Sequence, residues 1–170
     1  YVFVYSLWLK RTSKQNIVIG GAAGAAPALI GWAAVTGSLA LSPVLLFAII
    51  FFWTPPHFWA LAIKYADDYE AASVPMLPVV VSTRGTAIQM FGYSIVVIAF
   101  SLWFHLEAET SFLYLAVALV FGLLFLWRTI GLLRRPDAAQ AMKVFTFSIV
   151  YLGALFIAIA IDVLAFGAVS

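Results

Sequence analysis

Residues 51–78 read FFWTPPHFWALAIKYADDYEAASVPMLP, and the stretch changes character halfway along. Its first half is aromatic and aliphatic, with one histidine, His57. Lys64, Asp67, Asp68 and Glu70 then arrive within seven residues. An apolar run that ends in a dense charge cluster reads as a helix leaving a membrane.

Composition supports that reading. The 170 residues are 65% hydrophobic and 9% charged, against about 25% charged in a soluble domain. Mean hydropathy is +1.10. A soluble core is excluded, and the chain reads as an all-α polytopic membrane protein. It has no cysteine, so disulfides and thiolate metal sites are excluded. A net charge of +2 gives no reason to expect a nucleic-acid partner. The chain opens at Tyr1 inside an apolar run, YVFVYSLWL. No basic, apolar and cleavage-site layout of a signal peptide is visible there. The reading is of a chain whose N-terminal part is missing.

A bilayer core takes about 20 mostly apolar residues per helix. Spans are expected over residues 16–35, 43–63, 86–104, 112–133 and 144–166, with residues 1–9 as the end of a further helix. That makes about five full helices plus the end of a sixth, in one membrane domain. Gly20, Gly21, Gly24 and Gly31 are small enough for close helix packing in lipid. Pro55 and Pro56 lack amide protons, so a kink is expected there. All nine Lys and Arg residues fall on one side of this arrangement. By the positive-inside rule that side is cytoplasmic. Residues 65–84 form the longest expected loop on it.

Asp67 and Asp68 are adjacent carboxylates at the membrane surface. Mg²⁺ takes oxygen ligands, often one or two carboxylates together with substrate phosphates. The competing reading is a solvated helix end with a Lys64–Asp68 pair one turn apart. LKRTSKQN, residues 9–16, adds cations to the same face. Topology alone accounts for basic residues there. Carboxylates for a metal beside cations for phosphate oxygens would equally make a diphosphate site.

The segments YSLWLKRTSKQNIVIGGAAGAAPALIGWAAVTG and FFWTPPHFWALAIKYADDYEAASVPMLPVV, and more weakly VFTFSIVYLGALFIAIAID, cover most of the chain. They resemble the UbiA-type intramembrane prenyltransferases, and within them the branch that farnesylates haem. The resemblance implies a nine-helix fold with two Asp-bearing motifs on the cytoplasmic face. KYADDYEAA stands at the second motif, and the first has no counterpart here. Asp68 with Tyr69 matches the family's Asp-Tyr pair, and Asp67 is a neighbouring carboxylate. Members outside the haem branch usually carry two Asp four apart. The positions four from Asp68 are Lys64 and Ala72, which departs from that pattern. Ser73 stands where many members have glycine.

The implied site follows residue by residue. Asp68, Lys10 and Tyr5 are catalytic. Lys10, Arg11, Asn16 and Arg84 face diphosphate, and Asp68 and Asp67 hold Mg²⁺. His57 and Trp53, in the WTPPHFW block of the haem branch, contact haem substrate. The implied activity is farnesyl transfer from farnesyl diphosphate to a vinyl group of haem b, giving haem O. Without the first motif, the chain alone is not expected to turn over. Further implications are a lipid bilayer, a haem A synthase as partner, and a bacterial or mitochondrial inner membrane.

His57 also has a structural reading, a hydrogen bond to carbonyls freed by Pro55 and Pro56. Trp53 and Trp59 suit porphyrin stacking, and equally suit an ordinary membrane interface. His105, in the acidic loop HLEAET, is expected to be solvated. Asp162 is expected to mark a polar cap, with no catalytic role. Other functions stay open: prenyl transfer to another aromatic acceptor, a transporter of kinked helices, or a non-catalytic scaffold. A transporter should gather its polar groups near mid-membrane, whereas these gather at one surface.

Overall fold

The computed structural model describes residues 13–167, and every regular element among them is helical. In order they are α1 (Asn16–Thr36), α2 (Leu41–Lys64), α3 (Ala66–Ala71), α4 (Leu77–Val80), α5 (Thr83–Glu107), α6 (Phe112–Arg134) and α7 (Ala138–Phe166). Five of them are long and apolar enough to cross a membrane. In hydrocarbon, backbone amides must bond within their own segment, and a helix is the solution open to a single chain segment.

The helix ends carry local signals. Ser82 Oγ accepts from the Gly85 amide at 3.2 Å, and Asp137 Oδ1 from the Gln140 amide at 2.8 Å. Ser111 Oγ accepts from the Leu113 amide at 3.0 Å. Gly37, at φ 66°, closes α1 in the left-handed region. The cap at Asp137 starts α7 six residues before the expected 144. A hydropathy reading sees only the apolar part, while the helix runs on through the polar turn AAQAMK. Helix α2 is unbroken from Leu41 to Lys64, through both prolines.

Helix α2 is the hub and packs against α1, α5 and α7, while α6 joins α5 to α7. Short connections join α1 to α2, α5 to α6 and α6 to α7, while residues 65–82 lead from α2 to α5. Against α1 the contact is close: a Cβ on Gly21 would lie 3.2 Å from Thr54 Cβ. Gly24 and Gly31, expected to pack likewise, have no neighbour within 4 Å among the described residues. Against α5, Phe52 stacks on Phe100 with centroids 5.3 Å apart. Trp59 meets the Tyr93 ring edge-on at 5.5 Å.

Buried polar side chains tie the later helices. Tyr151 Oη donates to Ser101 Oγ at 2.8 Å, since the serine proton goes to the Val97 carbonyl. Tyr114 Oη reaches the Ser101 carbonyl at 3.2 Å. Asp162 accepts from the Ser111 amide at 2.7 Å and from its hydroxyl. A buried carboxylate thus caps α6 from α7. His105 lies in the last turn of α5 rather than in a loop, half-buried, and its Nδ1 meets Thr110 Oγ1 at 2.9 Å.

The segment expected as a long loop contains α3 and α4. Met76 and Leu77 are buried and pin it to the bundle. Helix α3 ends in paired bonds, Val74 N to Tyr69 O and Ser73 N to Glu70 O, both 2.9 Å. This termination needs a residue in the left-handed region. Ser73 supplies it at φ 53°, the conformation glycine adopts without steric cost. Ser73→Gly is therefore expected to stabilise the fold by about 1 kcal/mol. Gly21→Val is expected to cost about 1–3 kcal/mol by forcing α1 off Thr54. Thermal unfolding in detergent reads both, as a raised and a lowered midpoint.

Candidate active site

Two groups of polar residues share α2 and its continuation. The first lies at the charged end. Lys64 closes α2, and its Nζ sits 5.2 Å from the Tyr65 ring centroid. Asp67 and Asp68 occupy the first turn of α3. All three are exposed. No ion pair joins Lys64 to Asp68 among the described residues, so the expected i,i+4 pair is absent. Tyr65 breaks the helix between them, and the ammonium turns to the ring instead.

Arg84, exposed in the first turn of α5, belongs to the same end. Helix α4 packs against α2, α3 and α5, and so holds the carboxylate turn near the start of Arg84's helix. Asn16 is buried at the start of α1. Tyr5, Lys10 and Arg11 lie outside the described residues.

Among the described residues no three His, Cys, Asp or Glu side chains gather as a ready-made metal site. Asp67 and Asp68 still suit Mg²⁺. That ion commonly binds through one or two carboxylates and fills its octahedron with phosphate oxygens and water. Exposed carboxylates without a cationic partner among the described residues have oxygen atoms to offer such an ion.

The second group lies deeper. His57 precedes Lys64 by seven residues, about 10 Å along a helix. Its ring stacks on Trp53, one turn back, at 4.3 Å, and on Phe145 of α7 at 4.6 Å. Its Nδ1 lies 2.7 Å from Ser148 Oγ. Trp53 Nε1 donates to the Ser148 carbonyl at 2.8 Å. The structural reading of His57 predicts a bond to carbonyls of its own helix. The Nδ1 bond crosses to α7 instead. Trp59 is fully buried against Tyr93 and has no free face for a porphyrin. Trp53 is only partly buried.

The structure therefore joins His57 to Trp53 and adds two residues that sequence reasoning did not single out, Phe145 and Ser148. A lone serine in the apolar run VFTFSIVYL was the available signal. Its partner is 91 positions away, which no local pattern reveals.

Known proteins bear on the chain as a whole. Residues 1–165 match the model of the UbiA prenyltransferase family. Curated proteins named protoheme IX farnesyltransferase align along nearly the whole chain. One from Thermus thermophilus is 52% identical over 95% of this chain and 27% of its own length. That from Frankia casuarinae is 52% identical over 96% of the chain and 58% of its own length. That from Gloeobacter violaceus is 50% identical, over 95% and 53%. The chain thus spans between about a quarter and three fifths of these relatives. No solved structure matches it. A polytopic helical chain, with carboxylates and cations at one end and a family match over residues 1–165, belongs to the UbiA prenyltransferase family.

Proposed function

We propose that the protein carrying this chain transfers a farnesyl group from farnesyl diphosphate to a vinyl group of haem b, yielding haem O and diphosphate. The observation that carries the reading is the order of residues along α2 and the start of α3. Lys64, Asp67 and Asp68, without ion pairs among the described residues, mark the bundle end. The partly buried His57–Trp53 pair follows about two turns inside. A substrate with a charged head and an apolar tail needs that order, and so does a second substrate that is flat and aromatic. The name shared by the relatives, protoheme IX farnesyltransferase, supports the same acceptor.

In this reading Lys10, Arg11, Asn16 and Arg84 hold the diphosphate by charge and hydrogen bonding. Asp68 and Asp67 hold Mg²⁺, which when bound offsets the charge developing on the departing diphosphate. Tyr5 and Lys10 act with Asp68 as catalytic residues at the diphosphate. Apolar and aromatic walls keep water from the allylic cation until the vinyl carbon attacks, and aromatic faces also stabilise the cation. Water then adds at the porphyrin side and releases a proton, leaving a hydroxyethylfarnesyl group. His57 and Trp53 hold the porphyrin, with His57 the residue able to meet its iron. The charged end faces the cytoplasm, following the distribution of Lys and Arg. The product is the substrate a haem A synthase would take up.

The test uses a full-length enzyme carrying this segment, in membranes, with haem b, farnesyl diphosphate and Mg²⁺. The haem O mass is expected from the parent. Asp68→Ala is expected to lower its rate about 100-fold or more. Chelation of Mg²⁺ is expected to stop turnover, and added Mg²⁺ to restore it. Folded parent protein that makes no haem O would overturn the proposal.

A further inference from the structure

The serine that meets His57 does more than join two helices. A hydroxyl has one proton. Ser148 Oγ lies 2.6 Å from the Phe145 carbonyl, which can only accept, so the serine proton is committed there. Toward His57 the same oxygen must then accept. The proton of the 2.7 Å contact therefore belongs to Nδ1. In a neutral imidazole one nitrogen donates and the other accepts, and the partner of one nitrogen decides the state of the other. With Nδ1 protonated, Nε2 carries the lone pair. No described residue hydrogen-bonds Nε2.

The ring is fixed as well as its tautomer. Trp53 and Phe145 both stack on it, with interplanar angles of 19° and 24°. Trp53 is held in turn by the Ser148 carbonyl. One fully buried residue of α7 thus anchors two side chains on successive turns of α2, by hydroxyl and by carbonyl.

We infer that Ser148 is a positioning residue. It holds His57 as the Nδ1–H tautomer, in a fixed plane, so that the Nε2 lone pair is available to the iron of the haem substrate. The inference rests on the proposed haem contact at His57. It makes Ser148 the counterpart of the hydrogen-bond partners that orient metal-binding histidines, whose loss commonly weakens metal binding about 10–100-fold.

The experiment has two parts, on the full-length enzyme in detergent. ¹⁵N NMR of labelled histidine reads the tautomer in the parent protein, with the signals lost in His57→Gln assigning His57. The Nδ1–H tautomer is expected, and an Nε2–H tautomer would overturn the inference. Haem titration then compares variants by affinity and by the Soret and electron-paramagnetic signature of an imidazole-bound iron. Ser148→Ala is expected to bind haem about 10–100-fold more weakly and to lose that signature. Ser148→Thr, which keeps the hydroxyl, is expected to recover most of both. Ser148→Ala that keeps the parent's affinity and signature, while His57→Ala loses them, would overturn the role of Ser148 and leave the haem contact standing. His57→Ala with unchanged affinity and signature would remove the haem contact, and this inference with it.

Discussion

A backbone amide in hydrocarbon has no water to bond, and this constraint shapes the whole molecule. It turns each apolar run into a helix and leaves polar side chains as the few directional links between helices. The links are specific. Tyr151 and Tyr114 converge on Ser101, Asp162 holds the Ser111 turn, and Ser148 receives Trp53 and His57. Interhelical hydrogen bonds of this kind contribute about 0.6–1.7 kcal/mol each in a membrane. They add less to stability than to the choice of which helix faces meet.

Charge follows the opposite logic. Lys64, Asp67, Asp68 and Arg84 stay exposed at one end, because an ionised group in hydrocarbon is expensive. Their lack of ion pairs among the described residues leaves them to compete for an ionic ligand. Arg128 lies within α6 and keeps its guanidinium over the rings of Trp127 and Phe147. An arginine below the surface is thus held by aromatic faces rather than by a carboxylate.

The two polar groups lie on consecutive elements. Residues 51–64 of α2 carry the histidine, the aromatic wall and the lysine, so their spacing along that helix is set by helix rise. The carboxylates follow on α3, past the break at Tyr65. Helix α7 fixes the position of α2 through Ser148, and α4 fixes the turn that follows through the buried side chains of Met76 and Leu77. This is how packing far from the charged end sets where the carboxylates stand.

Much of this was legible in the residues alone. Hydropathy located five spans, because a bilayer demands length and apolarity and little else. Ser73 was read only as a departure from the resemblance, and its left-handed backbone emerged with the structure. The charge cluster after Ile63 announced the helix end. Boundaries were less legible where a helix outran its apolar part, as α7 does past Lys143 to its cap at Asp137. Of the glycines, Gly21 meets Thr54, while a Cβ at Gly24 or Gly31 would meet nothing within 4 Å among the described residues. His105 falls in α5 and not in a loop because that helix also outruns its apolar part, to Glu107. Only the tertiary structure decided that Trp59 is closed off by Tyr93 and that His57 reaches across to Ser148. These are pairings between helices. Composition and periodicity report what a residue must avoid, water or lipid, and they do not report which side chain from another helix will stand opposite it.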